Sequence, residues 1–317
     1  MATTLVPEFT ALTAVLPSER LLANGMAIPE LRTRFRHIDN LRNVRAVVMV
    51  WFWTLALMYA GTHLGWLGLI LAFILEGPMH ARFAILMHES AHKLLFSKKR
   101  WNDLVGKWLV AYPSFVPIEA YRRSHFAHHR EEFGPEEPDI AFYRGYPCEP
   151  RDLRRRLVRD ALGISGYKNF KALLMALAST TSRSLARRIL LAQAAFFALA
   201  WLTTGRWWSY LVFWWLPWMT QWRVLNRLRA IAEHGGMMRS DDRRMTTHHV
   251  TQHLVSRFWF VPYNTGWHLA HHVAMGVPWR NLPAFQRELE AAGYVTADIT
   301  FASYRELWKS ATAQRAN

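Results

Sequence analysis

Apolar residues gather in two paired runs, and polar residues fill the stretches around them. Val44 to Ala60 is free of charge after Arg45. Gly61 and Gly65 flank a turn, and Leu64 to Leu75 is apolar again. The helical pattern continues through Met79 and Phe83 to His92. Together these segments predict a helical hairpin. Pro78 lacks an amide and crowds the turn before it, so it is expected to kink the second arm. Ile189 to Thr203 and Trp207 to Trp222, separated by Gly205-Arg206, predict a second hairpin. Its runs fall short of the ~20 apolar residues that cross a bilayer core. Flanking Trp and Arg lengthen such spans by seating themselves at the interface.

Between and beyond the hairpins the pattern turns polar. Residues 1–43 are amphipathic, punctuated by Pro7, Pro17 and Pro29. Phe35, Ile38 and Leu41 fall at helical spacing among Arg32, Arg34, Arg36 and Arg42. That arrangement suits a helix at a membrane surface or one packed on the domain. Residues 93–188 are Arg-rich. They hold an acidic turn, Glu131 to Pro138, and a basic segment from Pro147 to Arg159 that leads into a helix. The reading is an all-α membrane helical bundle of about four spans in two hairpins, with a cytosolic helical cap.

Composition sharpens this picture. In a chain of 317 residues Cys148 is the only cysteine, which excludes an internal disulfide and a cysteine-ligated metal cluster. The net charge of +16 suits nucleic acid, anionic lipid or an acidic partner protein. The 16 Trp residues weigh against nucleic acid, because Trp collects where one side of the ring is apolar and the other wet. Lys and Arg concentrate on the cytoplasmic side of membrane proteins. A multi-pass protein with a cytosolic Arg-rich bulk follows. Met1 to Asn43 lacks the continuous apolar core of a cleavable signal peptide.

Ionisable groups inside an apolar arm normally face a cavity or one another. Glu76, His80 and Arg82 are in that position, and His80 lies two helical turns before His88 on the same face. All three are candidates for lining a substrate channel.

The chemistry is concentrated in three histidine clusters: His88-Glu-Ser-Ala-His92, His125-Phe-Ala-His128-His129 and His268-Leu-Ala-His271-His272. Residues three and four apart share a helix face, so each cluster can aim two or three imidazoles at one point. Neutral imidazole suits iron, copper and zinc. Eight such groups exceed the needs of one four-coordinate ion and argue for two metals in an all-nitrogen cage. The first cluster alone matches H-E-x-x-H, the zinc-protease pattern with Glu89 as general base. A protease has no use for the other two. Redox-active iron accounts for the excess and gives a route through O2 to an unactivated C–H bond.

H-E-x-x-H, H-x-x-H-H and H-x-x-H-H on a four-span apolar pattern resemble the membrane fatty acid desaturase/hydroxylase superfamily. The resemblance covers roughly residues 44–290, between the N-terminal segment 1–43 and a tail, 291–317. Pro262-Tyr-Asn264-Thr-Gly-Trp-His268 and, later, Asn281-Leu-Pro283 are similar to bacterial acyl-lipid desaturases. The resemblance implies a non-haem diiron centre on the cytoplasmic side of a membrane, the bacterial inner membrane, with O2 as co-substrate. It also implies about nine His ligands. Glu233-His234-Gly, after the second hairpin, looks like an extra ligand box, which makes His234 the ninth.

Ligating imidazoles commonly donate their other N–H to a carboxylate. Glu89 and Asp139 are candidates for that role, with salt bridges to nearby Arg as the alternative. Thr246-Thr-His-His-Val-Thr-Gln-His253 departs from the box spacing, so His248, His249 and His253 are expected to support the site or lie at the surface. Asn264 either approaches iron through water or turns the chain.

No His-Pro-Gly-Gly occurs, so electrons are expected from a separate ferredoxin, rubredoxin or cytochrome, steered by the basic surface. The expected activity is O2-dependent desaturation or hydroxylation of a fatty acyl or alkyl chain, and Asn-Leu-Pro tilts it to desaturation. Three rivals remain: the same chemistry on an amino acid, carotenoid or other small molecule; a zinc-dependent membrane hydrolase; and a basic lipid-surface scaffold.

Overall fold

The computed structural model describes residues 5–13 and 18–312, so Pro17 and the outermost residues at both ends lie outside it. In chain order the first helices are α1 (Pro29–Phe35), α2 (Asn40–His63), α3 (Gly65–Ala91), α4 (Lys99–Val105) and α5 (Ile118–Glu131). Then come α6 (Ile140–Tyr143), α7 (Pro150–Ala161), α8 (Ile164–Met175), α9 (Arg183–Thr204), α10 (Leu216–Met219) and α11 (Gln221–His234). The last are α12 (Leu254–Trp259), α13 (His268–Val273), α14 (Leu282–Ala291) and α15 (Tyr304–Ser310). Among the described residues, strand is confined to a parallel pair, β1 (His249–Val250) and β2 (Thr300–Phe301). The fold is all-α, as the apolar periodicity predicts. Contacts divide the chain into two units that interleave along the sequence. Residues 39–122 and 155–226 form one, here the spanning unit; residues 1–38, 123–154 and 227–317 form the other, the polar unit.

In the spanning unit, Asp39 caps α2 by accepting the Arg42 amide at 3.1 Å. The α2–α3 corner needs Gly65, whose φ of +67° disfavours any residue with a Cβ. Three helical stretches are long and apolar enough to cross a membrane: Pro29–His63, Gly65–Ala91 and Arg183–Thr204. Large apolar side chains stand exposed along them, including Phe52, Trp53, Trp66 and Leu202, and lipid is the solvent that suits such surfaces.

The expected fourth run is not one helix. A π-turn over Leu211–Trp215 leads into the single turn of α10, and the chain bends at Thr220 before α11. Pro217 removes an amide from the ladder where the π-turn meets α10.

α3, by contrast, continues through Pro78. Gln221 donates Nε2 to the Phe73 carbonyl at 2.8 Å, next to the acceptor that Pro78 leaves without a partner. Gly77 gives Gln221 room, since a Cβ there would overlap its Oε1. Arg82 Nη1 donates to the Pro78 carbonyl at 2.9 Å, and Glu76 and His80 are buried, with the His80 ring against Trp214. After α4 the chain forms a π-turn, Gly106–Ala111, whose neighbouring carbonyls are met by side chains of the long helices. Trp51 Nε1 donates to Leu109 (2.8 Å), Gln193 Nε2 to Tyr112 (2.6 Å) and Trp214 Nε1 to Pro113 (2.8 Å). Irregular backbone buried away from water needs such partners.

The core of the polar unit joins α1 to α13 and α14 through Leu31, Phe35, Leu269, Val273, Phe285 and Leu289. Arg20 clamps Glu288 through two bonds of 2.5–2.6 Å, and Asn281 Nδ2 donates to the Phe35 carbonyl at 2.7 Å. The amphipathic N-terminal pattern is therefore split. Leu31 and Phe35 pack on the domain, whereas Leu41 is exposed at the start of α2.

Candidate metal centre

Seven of the nine singled-out histidines belong to the polar unit. His125, His128 and His129 lie on α5, His234 ends α11, and His268, His271 and His272 lie on α13. All seven are buried. The i, i+3 and i+4 spacing of each box puts its rings on one helix face, as the sequence predicts.

Their Nε2 atoms converge. His268 Nε2 is 3.2 Å from His234 Nε2 and 3.0 Å from His272 Nε2. His129 Nε2 is 3.2 Å from His125 Nε2 and 3.1 Å from His271 Nε2. His128, His234 and His272 each offer a nitrogen within 4.8 Å of the others'. Two nitrogens about 2.1 Å from one ion and at right angles lie about 3.0 Å apart. The observed separations match that edge.

The opposite ring nitrogens point outward to acceptors. His272 Nδ1 meets Glu132 Oε1 at 2.6 Å, and His128 Nδ1 meets Glu137 Oε1 at 3.0 Å. His234 Nδ1 meets the Thr246 carbonyl at 2.9 Å, and His268 Nδ1 lies 3.4 Å from Glu233 Oε1. Each of these acceptors calls for a proton on Nδ1, which leaves the Nε2 lone pair facing inward. The acceptors are themselves held: Arg243 Nη1 donates to Glu132 at 2.5 Å, and Arg229 Nε to Glu233 at 2.7 Å.

Electrostatics favour the neutral, ligand-competent form at three of the rings. Burial drives His234, His268 and His272 well below the ordinary imidazole range, so they stay neutral. Burial raises Glu132 and Glu233. At His128 burial acts downward, but the hydrogen bond to Glu137 and its charge outweigh it and the net shift is upward. Glu137 moves the other way, its burial outweighed by His128.

The spanning unit carries His88 and His92 at the end of α3, buried, with ring centroids 4.7 Å apart. Glu89 Oε1 is 3.7 Å from His88 Nδ1. Asp139 contributes its backbone amide to Glu137 Oε1 at 3.0 Å, and its carboxylate lies within 4.8 Å of the His128 and Glu137 ligand atoms.

Glu132, Glu137 and Glu233 are the functional candidates that sequence reasoning missed. Two of them sit in what reads as an acidic turn; their signal is only that they follow the second box closely. Asn264 adopts φ +61°, and its side chain accepts from Arg257 at 3.0 Å, the geometry of a turn. His248 Nε2 donates to the Gly235 carbonyl at 2.7 Å, His249 faces Gln286, and His253 caps α12.

Residues 63–304 match the family model described as "Fatty acid desaturase". The chain is similar to the dihydrorhizobitoxine desaturase of Bradyrhizobium elkanii, with 27% identity over 71% of this chain and 68% of that protein. It is also similar to the sn-1 oleoyl-lipid 12-desaturase of Anabaena variabilis, with 27% identity over 55% of this chain and 52% of the relative.

Proposed function

This chain belongs to the fatty acid desaturase family, and from that premise we propose that it is an O2-dependent non-haem diiron oxidase of an acyl or alkyl chain. The observation that carries the reading is the convergence of buried imidazoles, with Nδ1 of His128, His234, His268 and His272 directed to a carboxylate or carbonyl. The reading assigns His88, His92, His125, His128, His129, His234, His268, His271 and His272 to two irons. Bound there, the irons would supply O2 activation and the oxidising power to remove hydrogen from an unactivated carbon. In desaturation, a CH2–CH2 unit, O2, two electrons and two protons give an alkene and two waters.

The protein's own residues hold this chemistry in place. Glu132, Glu137 and the Thr246 carbonyl fix ring orientation and keep the Nδ1 protons away from the centre. Burial of the rings keeps bulk water out. The electrons would come from a separate ferredoxin, rubredoxin or cytochrome. A cavity of about 360 Å³ in the polar unit supports an acidic donor: His129 and His272 line it together with Arg32, Arg36, Arg130 and Arg243. A multi-pass arrangement with the boxes on the cytoplasmic side is supported by the Arg-rich composition of the segments that carry them.

A second reading keeps the metals and changes the substrate to a small molecule. It is favoured by the relative named for dihydrorhizobitoxine, whose match covers 71% of this chain. Metal analysis of purified protein, with mass spectrometry of lipids and polar metabolites from cells with and without it, tests both. Two irons per chain with a new double bond in a lipid support the first. A changed polar metabolite supports the second, and one zinc without iron overturns both.

A further inference from the structure

We propose that the spanning unit holds a site for a small apolar carboxylic acid, with Arg223 binding the free carboxylate. Calling that acid a substrate rests on the oxidase reading above; the site itself does not.

The site is an open-sided cavity of about 460 Å³ lined by α8, the first turns of α9, the Ser114–Pro117 loop and the chain from Trp218 to Arg223. Leu173, Leu185, Ile189 and Trp222 give it apolar walls. Phe115 stacks on Trp218 with centroids 4.2 Å apart and closes one side.

Arg223 is the cation among the lining residues. Its Nε donates to the Trp218 carbonyl at 3.1 Å, and its guanidinium lies 4.2 Å over the Trp218 ring. These contacts fix the plane of the group but use only Nε. Among the described residues, Nη1 and Nη2 make no hydrogen bond and the side chain forms no ion pair. Asp160 is the carboxylate whose charge reaches Arg223, and its Oδ1 already accepts from Ser165 at 2.5 Å. Ser114, also in the wall, gives its hydroxyl to the Val110 carbonyl. What remains is a planar fork of donors, held flat at the edge of an apolar cavity. That geometry matches a carboxylate.

Charge narrows the ligand further than size. The cavity of about 460 Å³ has room for a medium-length chain, and its open side admits a longer tail. An ester or a thioester lacks the anionic carboxylate that the Arg223 fork matches. A medium-chain free acid offers both the carboxylate and the apolar chain.

The test is binding of labelled decanoate to purified, detergent-solubilised protein, with competition by methyl decanoate and decanol. Wild type is expected to prefer decanoate by about 10-fold or more. Arg223→Gln should erase the preference while methyl decanoate binding stays within about two-fold, and Arg223→Lys should retain part of it. Ala172→Trp, at an exposed lining position, should weaken all three ligands. Equal competition by acid and ester on wild type overturns the proposal, as does Arg223→Gln that keeps the preference or Ala172→Trp that binds decanoate normally. Iron content and product formation are read separately on the same preparations. Iron-loaded, active protein without acid preference sinks the site alone; protein without iron sinks the oxidase reading and leaves the binding result standing.

Discussion

Glu132 accepts the Nδ1 proton of His272 at 2.6 Å while Arg243 donates to the same carboxylate at 2.5 Å. The bond sets which nitrogen of His272 faces the cluster of rings. Losing such a partner typically costs 10- to 100-fold in metal affinity. Glu132→Ala is therefore expected to lower the iron retained through gel filtration, read by plasma mass spectrometry, with Glu132→Gln losing less because its amide oxygen still accepts. Wild-type retention in Glu132→Ala would show that the carboxylate serves Arg243 alone.

His234 has the same two-sided geometry, with Nδ1 on the Thr246 carbonyl and Nε2 on His268 Nε2. His253 has neither: it is exposed and its ring bonds the Ala302 carbonyl. His234→Ala should cut bound iron to less than about half and lower turnover by about 100-fold or more, since the centre loses a ligand. His253→Ala should leave iron within about two-fold of wild type. Equal iron in the two variants contradicts the assignment of His234.

The contrast also shows what the chain reveals unaided. The three boxes are visible because i, i+3 and i+4 spacing is a local property of a helix, and His234 because a Glu-His-Gly follows the second hairpin. The carboxylates are not visible. Periodicity cannot say which acids of the turn from Glu131 to Pro138 face inward, and only tertiary packing brings Glu132 to His272, 140 residues away. Proximity in sequence points to Glu89 and Asp139, which lie beside His88 and His128, but not to Glu132, whose bond to His272 is long-range. The break at Pro217 had a local cause, but apolarity alone reads the run as continuous. The interleaving of the two units rests on long-range contacts that no pattern along the chain records.

Stability should fall in mild acid. Burial holds His248 and His249 down at about 4, against an ordinary value near 6.5. As pH drops below about 6.5 the unfolded chain takes up two protons that the fold refuses, so folding loses stability until about pH 4. Each imidazole accounts for roughly 3 kcal/mol across that window. Burial depresses His234, His268 and His272 as well, so the useful quantity is a difference. Thermal melting of His248→Gln/His249→Gln should depend less steeply on pH between 6.5 and 4 than melting of wild type. Parallel profiles would mean that other groups carry the acid response.

Asn102 ties the segment after the first box to α3. It is fully buried, its Oδ1 accepts the Leu95 and Phe96 amides at 3.1 and 3.3 Å, and its Nδ2 donates to the Ser90 carbonyl at 3.0 Å. Ser90, between His88 and His92, returns a bond from Oγ to the Asn102 carbonyl at 3.0 Å. Gly106 is required beside them, because a Cβ there would overlap the Ser90 hydroxyl. Asn102→Leu keeps the volume but strands two amides and a carbonyl, each costing about 1–3 kcal/mol when buried without a partner. Some of those groups will find water, so a net loss of about 2–5 kcal/mol is expected, seen as a lower melting temperature in detergent. Gly106→Ala should destabilise by a different route, pushing Ser90 off its bond. Combined with Ser90→Ala, which removes the obstructing oxygen, it should cost less than the sum of the two single changes. Strict additivity would place Gly106 and Ser90 out of contact and contradict the packing seen here.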